Sequence, residues 1–481
     1  MSNVKKAANH AIRRDYPPEA GVELRGKVGE QSIAPASTES KDENKVNTGK
    51  LLEKVLDRDN LNLAYKRVKK NGGSHGVDGM QVDELLPYLK QQGDSLKQSI
   101  LEGKYRPHPV RRVEIPKPDG GIRLLGIPTV VDRMIQQAIA QVLSPIFEKE
   151  FSKYSYGFRP GRNAHQAIEQ AQQYINEGYK VVVDLDLEKF FDRVNHDKLM
   201  YLLAKRISDK RVLKLVRAYL ESGVMLGGLV SPTEEGTPQG GPISPLLSNV
   251  MLHELDKELE RRCHRFCRYA DDCNIYVKSK KGGNRVMESI SQFIEKRLKL
   301  KVNREKSAVD YPTKRKFLGF SFYYFKGMVR IRVHAKPLRR LKAKLKKLTG
   351  RSIGINMEAR TDKLNQTIRG WVNYYKMADM GKYCQKTDEW LRRRLRMCYW
   401  KQWKKIGTRH DNLVRLGISN SKAWEFANTR NSYWHTANSP ILASTLTNNF
   451  FRNLGLSCLS EVYSKTLSLR TAVCRTARTV V

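Results

Sequence analysis

Two stretches of this chain place carboxylates where folding alone has little use for them. In Phe266-Cys-Arg-Tyr-Ala-Asp-Asp-Cys-Asn-Ile-Tyr-Val277, the adjacent Asp271 and Asp272 sit between short runs of aromatic and β-branched residues. That pattern predicts a tight hairpin with its acidic pair at the turn. Adjacent like charges repel, and one of the two carries a proton unless a cation neutralises both. A hard divalent ion with oxygen ligands does this, and Mg²⁺ between a few carboxylates and substrate phosphates is its usual setting. Asp is also common in ordinary turns, so the pair needs support from elsewhere. The strand Lys180-Val-Val-Val-Asp-Leu-Asp-Leu187 supplies it. Period-two alternation puts Val182, Asp184 and Asp186 on one face, between apolar flanks that make unpaired carboxylates costly to bury. Carboxylates converging from separate strands on a metal pair about 3.5–4 Å apart are what two-metal phosphoryl transfer needs.

Other segments fit around that chemistry. Val110 to Ile115 and Ile122-Arg-Leu-Leu125 flank the turn Pro118-Asp-Gly-Gly121, a hairpin whose Lys117 and Arg123 suit a triphosphate. Val131 to Leu143 reads as an amphipathic helix, and Tyr156-Gly-Phe-Arg-Pro-Gly-Arg162 as a turn carrying Arg159 and Arg162. A glycine–proline loop, Gly236-Thr-Pro-Gln-Gly-Gly-Pro-Ile-Ser-Pro245, leads into a further helix.

Composition narrows the substrate. Among 481 residues, 89 Lys and Arg face 49 Asp and Glu, a net charge of +40 that calls for a polyanionic partner. No run approaches the ~20 apolar residues of a membrane span, and Met1 to Pro18 lacks the apolar core of a secretory signal. Nucleic acid is the partner these facts favour, with no membrane, and a cytoplasmic location. The seven cysteines include no C-x-x-C pair, so reduced thiols are expected rather than a zinc site. Residues 1–48 carry 8 Lys/Arg and 7 Asp/Glu with few large apolar residues, which predicts a disordered extension.

The excess cations lie further on. Residues 330–410 hold 24 Lys/Arg against 5 Asp/Glu. Leu338, Leu341, Leu345 and Leu348 form a helical stripe, opposite a face bearing Arg339, Arg340, Lys342, Lys344, Lys346 and Lys347. A second stripe runs through Leu364, Ile368, Trp371 and Tyr375. A third helix around 388–404 holds Arg392, Arg393, Arg394 and Arg396 beside Trp390, Trp400 and Trp403. The stripes are core, and a one-sign face of this size is a phosphate-binding surface.

Taken together, Ile127-Pro-Thr129, Gly157-Phe-Arg-Pro-Gly-Arg162, Asp186-Leu-Glu-Lys-Phe-Phe-Asp192, Thr237-Pro-Gln-Gly-Gly241, Tyr269-Ala-Asp-Asp272, Asn303-Arg-Glu-Lys306, Phe317-Leu-Gly319 and Gly370-Trp-Val-Asn-Tyr374 stand in a telling order. From about residue 50 to 440 the chain resembles the bacterial group II intron reverse transcriptase/maturases, most closely the compact class C type. The resemblance implies an α+β, right-hand polymerase, with fingers and palm around an antiparallel sheet (49–328), then an all-helical thumb/maturase domain (329–440). Residues 441–481 would be a basic, DNA-binding segment. It further implies that Asp186, Asp271 and Asp272 bind two Mg²⁺ ions, with Asp184 supporting them. Lys306 would protonate pyrophosphate, and Lys117, Arg123, Phe191 and Gln239 would hold the incoming dNTP, Phe191 rejecting a ribose 2′-hydroxyl. Arg159 and Arg162 would touch template. The implied activity is RNA-directed DNA synthesis during retrohoming, combined with intron RNA binding that promotes splicing. Its partners would be the intron RNA, a DNA target and primer, and dNTPs, in a bacterial, nucleoid-associated setting. Many relatives end in a metal-bound endonuclease with paired cysteines, a pattern not seen after residue 400, where Cys458 and Cys474 stand alone. A splicing cofactor with a vestigial polymerase, and a host-adopted reverse transcriptase in defence or repair, stay open as alternatives.

Overall fold

Adjacent β-branched runs and helical stripes settle into mixed helix and sheet, followed by helices alone. The computed structural model describes residues 49–116, 120–226, 229–231, 235–237 and 240–478. The extension 1–48, Lys117 and Gln239 lie outside the described residues, and so do the expectations attached to them. The described residues divide into two compact units: one comprises 49–318 with 326–329, the other 319–325 with those from 330 onward.

The first unit is built on two sheets. Strands β1 (Val110–Pro116) and β2 (Ile122–Ile127) pair antiparallel, with Ile115 opposite Arg123. β1 also pairs, in parallel, with β4 (Val224–Leu226), which pairs with β5 (Leu229–Ser231). The second sheet has the order β6-β7-β3-β8, all antiparallel: β6 (Arg265–Tyr269), β7 (Asp272–Val277), β3 (Val181–Leu185) and β8 (Ala308–Asp310). β3 lies inside this sheet, and Val181, Val182, Val183 and Leu185 are all buried. Both faces are therefore covered, which explains a near-continuous apolar run broken only by Asp184.

Helices Val130–Glu148 and Ser244–Arg261 pack into the same core as this sheet. The first is capped by Thr129, whose hydroxyl oxygen accepts from the Asp132 N–H. Burying Met134, Ile135, Ala138, Ile139 and Leu143 at helical spacing fixes its inner face.

The second unit opens with the hairpin β9 (Phe320–Phe325) and β10 (Met328–Val333). Helices Ala335–Leu348, Met357–Tyr375 and Gly381–Gln402 follow, and then further helices through Leu459–Arg478. Of the predicted stripes, Leu341, Leu345, Leu364, Ile368 and Tyr375 are buried and Leu338, Leu348 and Trp371 half-buried, and Val372, Leu391 and Leu395 join them in the core. Among the described residues no helix is long and apolar enough to cross a membrane. The six described cysteines that bear on pairing are free thiols.

Candidate active site

The acidic hairpin closes as its sequence dictates. Tyr269 pairs with Asp272, leaving Ala270 and Asp271 as a two-residue turn with Ala270 at φ 55°. β7 lies against β3 with Asn274 opposite Asp184 and Cys273 opposite Leu185. Carried one residue further, that register sets Asp186 level with Asp272. Asp184, Asp186, Asp271 and Asp272 thereby fall within one another's electrostatic field.

The field is strong enough to shift protonation. Enclosure by protein, then the charges of Asp271, Asp184 and Asp186, pushes Asp272 up to about 7, although its side chain still opens to solvent. Enclosure and Asp186 also raise Asp271, against the pull of Arg123 and Arg268. Arg123, exposed on β2, thus lends its charge to the turn, a link to the acidic pair that its place on a separate hairpin did not show in sequence.

Asp184 differs from the other three. Burial raises it, but Arg315 opposes this, donating from Nε at 3.0 Å and from Nη2 at 2.5 Å to one carboxylate oxygen. Lys316 adds a second positive charge near Asp184 and Asp272. Sequence reading passed over Arg315 and Lys316. Their only signal was a run of three cations, Lys314-Arg315-Lys316, just ahead of Phe317-Leu-Gly319, with nothing to say which strand they would face.

Asp186 follows β3 and is held by a loop from far along the chain. Its N–H donates to Ser307 Oγ at 3.0 Å, and its carbonyl accepts from the Asn303 N–H at 2.8 Å. Lys306 sits on that loop, exposed, with its N–H donating to Asn303 Oδ1 at 3.2 Å. The segment Asn303–Ser307 is therefore bonded directly to the backbone of the aspartate it was grouped with.

Behind the turn lies a buried anchor that the motif reading missed. Arg268 and Asp256 are both fully buried and pair twice, Nε to Oδ1 at 2.7 Å and Nη2 to Oδ2 at 2.6 Å. Burial works against the Arg268 charge, and Asp256 overcomes it, holding the guanidinium protonated. Arg268 Nη1 also donates to the Ala270 carbonyl and to Asn249 Oδ1, each at 3.0 Å. Asn249 in turn donates from Nδ2 to the Gly157 carbonyl at 2.9 Å. Gly157 has no room for a side chain, since a Cβ there would stand 2.3 Å from the Ala270 nitrogen. One helix, Ser244–Arg261, thus fastens both the acidic turn and the Gly157-Phe-Arg segment.

The glycine–proline loop meets the aromatic pair on the other side. Gly236, at φ 97°, donates its N–H to the Val194 carbonyl, and Thr237 donates to the Phe191 carbonyl at 2.6 Å. A Cβ on Gly236 would lie 2.9 Å from the Phe191 oxygen, so only glycine permits this approach. Phe191 stands edge-on to Phe190 at 5.1 Å between centroids. It stays partly exposed while Phe190 is buried.

Several predicted nucleic-acid contacts have other duties. Arg159 is buried, paired to Glu148 through Nε and Nη2, and donates Nη1 to the carbonyls of Ser152 and Ser155. Its Nε, Nη1 and Nη2 are all engaged internally, so it braces the turn. Arg162 stays partly exposed over the Tyr156 ring at 5.9 Å. In the second unit Arg339, Arg340, Lys344 and Lys347 are exposed, and Arg392 is partly so. Arg393 lies over the Trp434 ring at 4.0 Å, Arg394 bonds Thr349, and Arg396 donates to the Leu446 carbonyl. These last three are partly structural.

The donors are of the chemical type that hard divalent cations take. Asp271 and Asp272 have no salt bridge among the described residues, and enclosure by protein first, then neighbouring carboxylates, raise both. Carboxylate oxygen is the ligand type Mg²⁺ prefers. Among the described residues, no three or more His, Cys, Asp or Glu side chains are gathered closely enough to hold a metal ion.

Comparison with known proteins bears on this site and on the helices that follow. Residues 115–322 match the model of the reverse transcriptase (RNA-dependent DNA polymerase) family. Residues 338–417 match the group II intron maturase-specific domain. The chain is 33% identical over 302 residues to protein YkfC of Escherichia coli, covering 54% of this chain and 79% of that one. It is 29% identical over 337 residues to the group II intron-encoded protein LtrA of Lactococcus lactis, covering 56% of each. A putative COX1/OXI3 intron 2 protein of Saccharomyces cerevisiae matches at 32% over 253 residues, covering 52% of this chain and 28% of its own length. The matches thus span just over half of LtrA and less than a third of the yeast protein. This chain belongs to the reverse transcriptase family, with the group II intron maturase-specific domain following its polymerase segment.

Proposed function

We propose that this protein copies group II intron RNA into DNA during retrohoming and binds the same RNA as a maturase that promotes splicing. The observation that carries the reading is the joining, in one chain, of the four-aspartate site to a helical unit rich in unpaired surface cations. Asp186, Asp271 and Asp272 would hold two Mg²⁺ ions, and Asp184, tied to Arg315, would support them. Bound there, the ions would lower the pKa of the primer 3′-hydroxyl and stabilise charge on the leaving pyrophosphate.

The chain's own groups do the rest. Arg123 draws the triphosphate toward the turn; Lys117 is assigned to the same triphosphate and Gln239 to the nascent pair. Phe191 occupies the space a 2′-hydroxyl would need, so dNTPs enter and ribonucleotides do not. Lys306 stands ready to protonate pyrophosphate. The positive charge of the helical unit holds RNA, and a bacterial, nucleoid-associated location follows from such a substrate.

The separating test replaces both Asp271 and Asp272 with Ala. Primer extension on an RNA template should vanish, while intron splicing assisted by the protein persists. Loss of splicing in the same variant, with RNA binding intact, would tie both activities to one site and contradict the division of labour.

The raised Asp272 adds a pH signature. A carboxyl with a pKa of about 7 must shed its proton to bind a metal ion, so ion binding releases a proton below that pH. The Mg²⁺ concentration for half-maximal extension should fall roughly tenfold per pH unit below the pKa, then level off above it. Titrating extension with Mg²⁺ from about pH 6 to about pH 8 checks the sign.

A further inference from the structure

The helical unit gathers some of its basic residues around a cleft. It has a volume of about 440 Å³ and is lined by Arg339, Lys342, Lys346, Trp390, Arg394 and Trp434. Arg339, Lys342 and Lys346 come from one face of helix Ala335–Leu348, at spacings of three and four residues. Trp390 and Arg394 are one turn apart on Gly381–Gln402, and Trp434 lies on the short helix Tyr433–Thr436.

The lining has two chemical characters. Four side chains are cationic and none is acidic, and no salt bridge engages any of the four among the described residues. The other two are indoles that keep open surface, Trp434 being 37% exposed. The cleft is also held in shape before anything enters it. Arg394 donates Nε to Thr349 Oγ1 at 2.5 Å and Nη2 to the Thr349 carbonyl at 3.0 Å. Its guanidinium and the Lys342 ammonium each lie 5.3 Å from the Trp390 ring centre. Arg393 backs Trp434 at 4.0 Å and donates to its carbonyl.

We infer that this cleft receives an unpaired nucleotide of single-stranded RNA, its base against Trp390 or Trp434 and its phosphate on Arg339, Lys342 and Lys346. The inference rests on the proposed RNA-binding function and gives it a definite recognition site. A bare phosphate surface needs cations but no open indole. An apolar peptide would find four unneutralised charges in its way. A base-paired duplex keeps its bases stacked on one another and presents only phosphate and sugar to such a cleft. A volume of this size suits one nucleotide rather than a helix. Stacking on an aromatic ring tolerates any base, so the site selects for unpaired structure more than for sequence.

The test uses the full chain and two labelled probes, a short oligouridylate and a blunt RNA duplex. Trp434→Ala and Trp390→Ala should each weaken oligouridylate binding roughly tenfold, while duplex binding stays within about twofold of wild type. Trp434→Phe should restore most of the loss. Lys342→Gln should weaken both probes and reduce the salt dependence by about one ion. Extension of a preannealed primer by the tryptophan variants reports that they are folded. Unchanged oligouridylate binding by folded Trp434→Ala and Trp390→Ala variants overturns the inference. Equal losses on duplex and single strand overturn it too, leaving a plain phosphate surface. If the wild type binds oligouridylate through these indoles but extends no primer, the cleft stands and the polymerase function falls.

Discussion

Asp271→Asn is expected to slow nucleotide addition by about a thousandfold or more while leaving RNA binding unchanged. The substitution keeps the shape of the side chain and removes one ligand charge at the turn. Metal ions at such a site contribute several kcal/mol of charge stabilisation, and each 1.4 kcal/mol lost is tenfold in rate. The fold should not suffer. Enclosure and Asp186 already raise Asp271 above the usual carboxylate range, so its charge is held in the free protein at a cost. A neutral amide relieves that repulsion, and the melting temperature should be equal or higher. Single-turnover incorporation on an RNA template, with a thermal melt alongside, reads both effects. A variant that melts lower yet adds nucleotides at the wild-type rate would make the turn structural.

The second large effect belongs to Arg268, which touches no substrate. Arg268→Met leaves Asp256 charged and unpaired where neither side chain has solvent exposure. Breaking a buried pair from one side costs about 3–5 kcal/mol. The same change strips the donor from the Ala270 carbonyl, which fixes the turn carrying Asp271. Both stability and synthesis should fall. The double variant Arg268→Leu with Asp256→Leu separates the two roles, because replacing both charges by apolar groups recovers much of the lost stability. The Ala270 carbonyl still lacks its donor, so synthesis should stay depressed. Chemical denaturation and primer extension of both variants check this. Recovery of synthesis together with stability would reduce Arg268 to a packing role.

The sequence made some of this site readable and hid the rest for physical reasons. The acidic hairpin, the β-branched strand and the glycine–proline loop are local patterns, and local patterns survive translation into structure. Asp184 and Asp186 were placed on one face by alternation alone, and the register with Asn274 and Cys273 keeps them beside Asp272. What sequence could not supply is pairing at long range. Arg315 meets Asp184 across 131 residues, and Ser307 meets Asp186 across 121. Arg159 shows a contact that sequence hides in the same way. Its setting in a turn-rich, basic motif resembles a phosphate contact, but Glu148 and two carbonyls take up its guanidinium. Charge counts likewise described the helices after 330 well. They could not tell that Arg393 and Arg394 would be stacked against indoles that shape a cleft.

The most direct measurement is extension of a DNA primer annealed to an RNA template in Mg²⁺, run once with dNTPs and once with NTPs. The account predicts long products with dNTPs, few or none with NTPs, and no product from the variant lacking both Asp271 and Asp272. Failure of the wild type to extend the primer with dNTPs, while it binds the same template tightly, would contradict the account and leave an RNA-binding protein in its place.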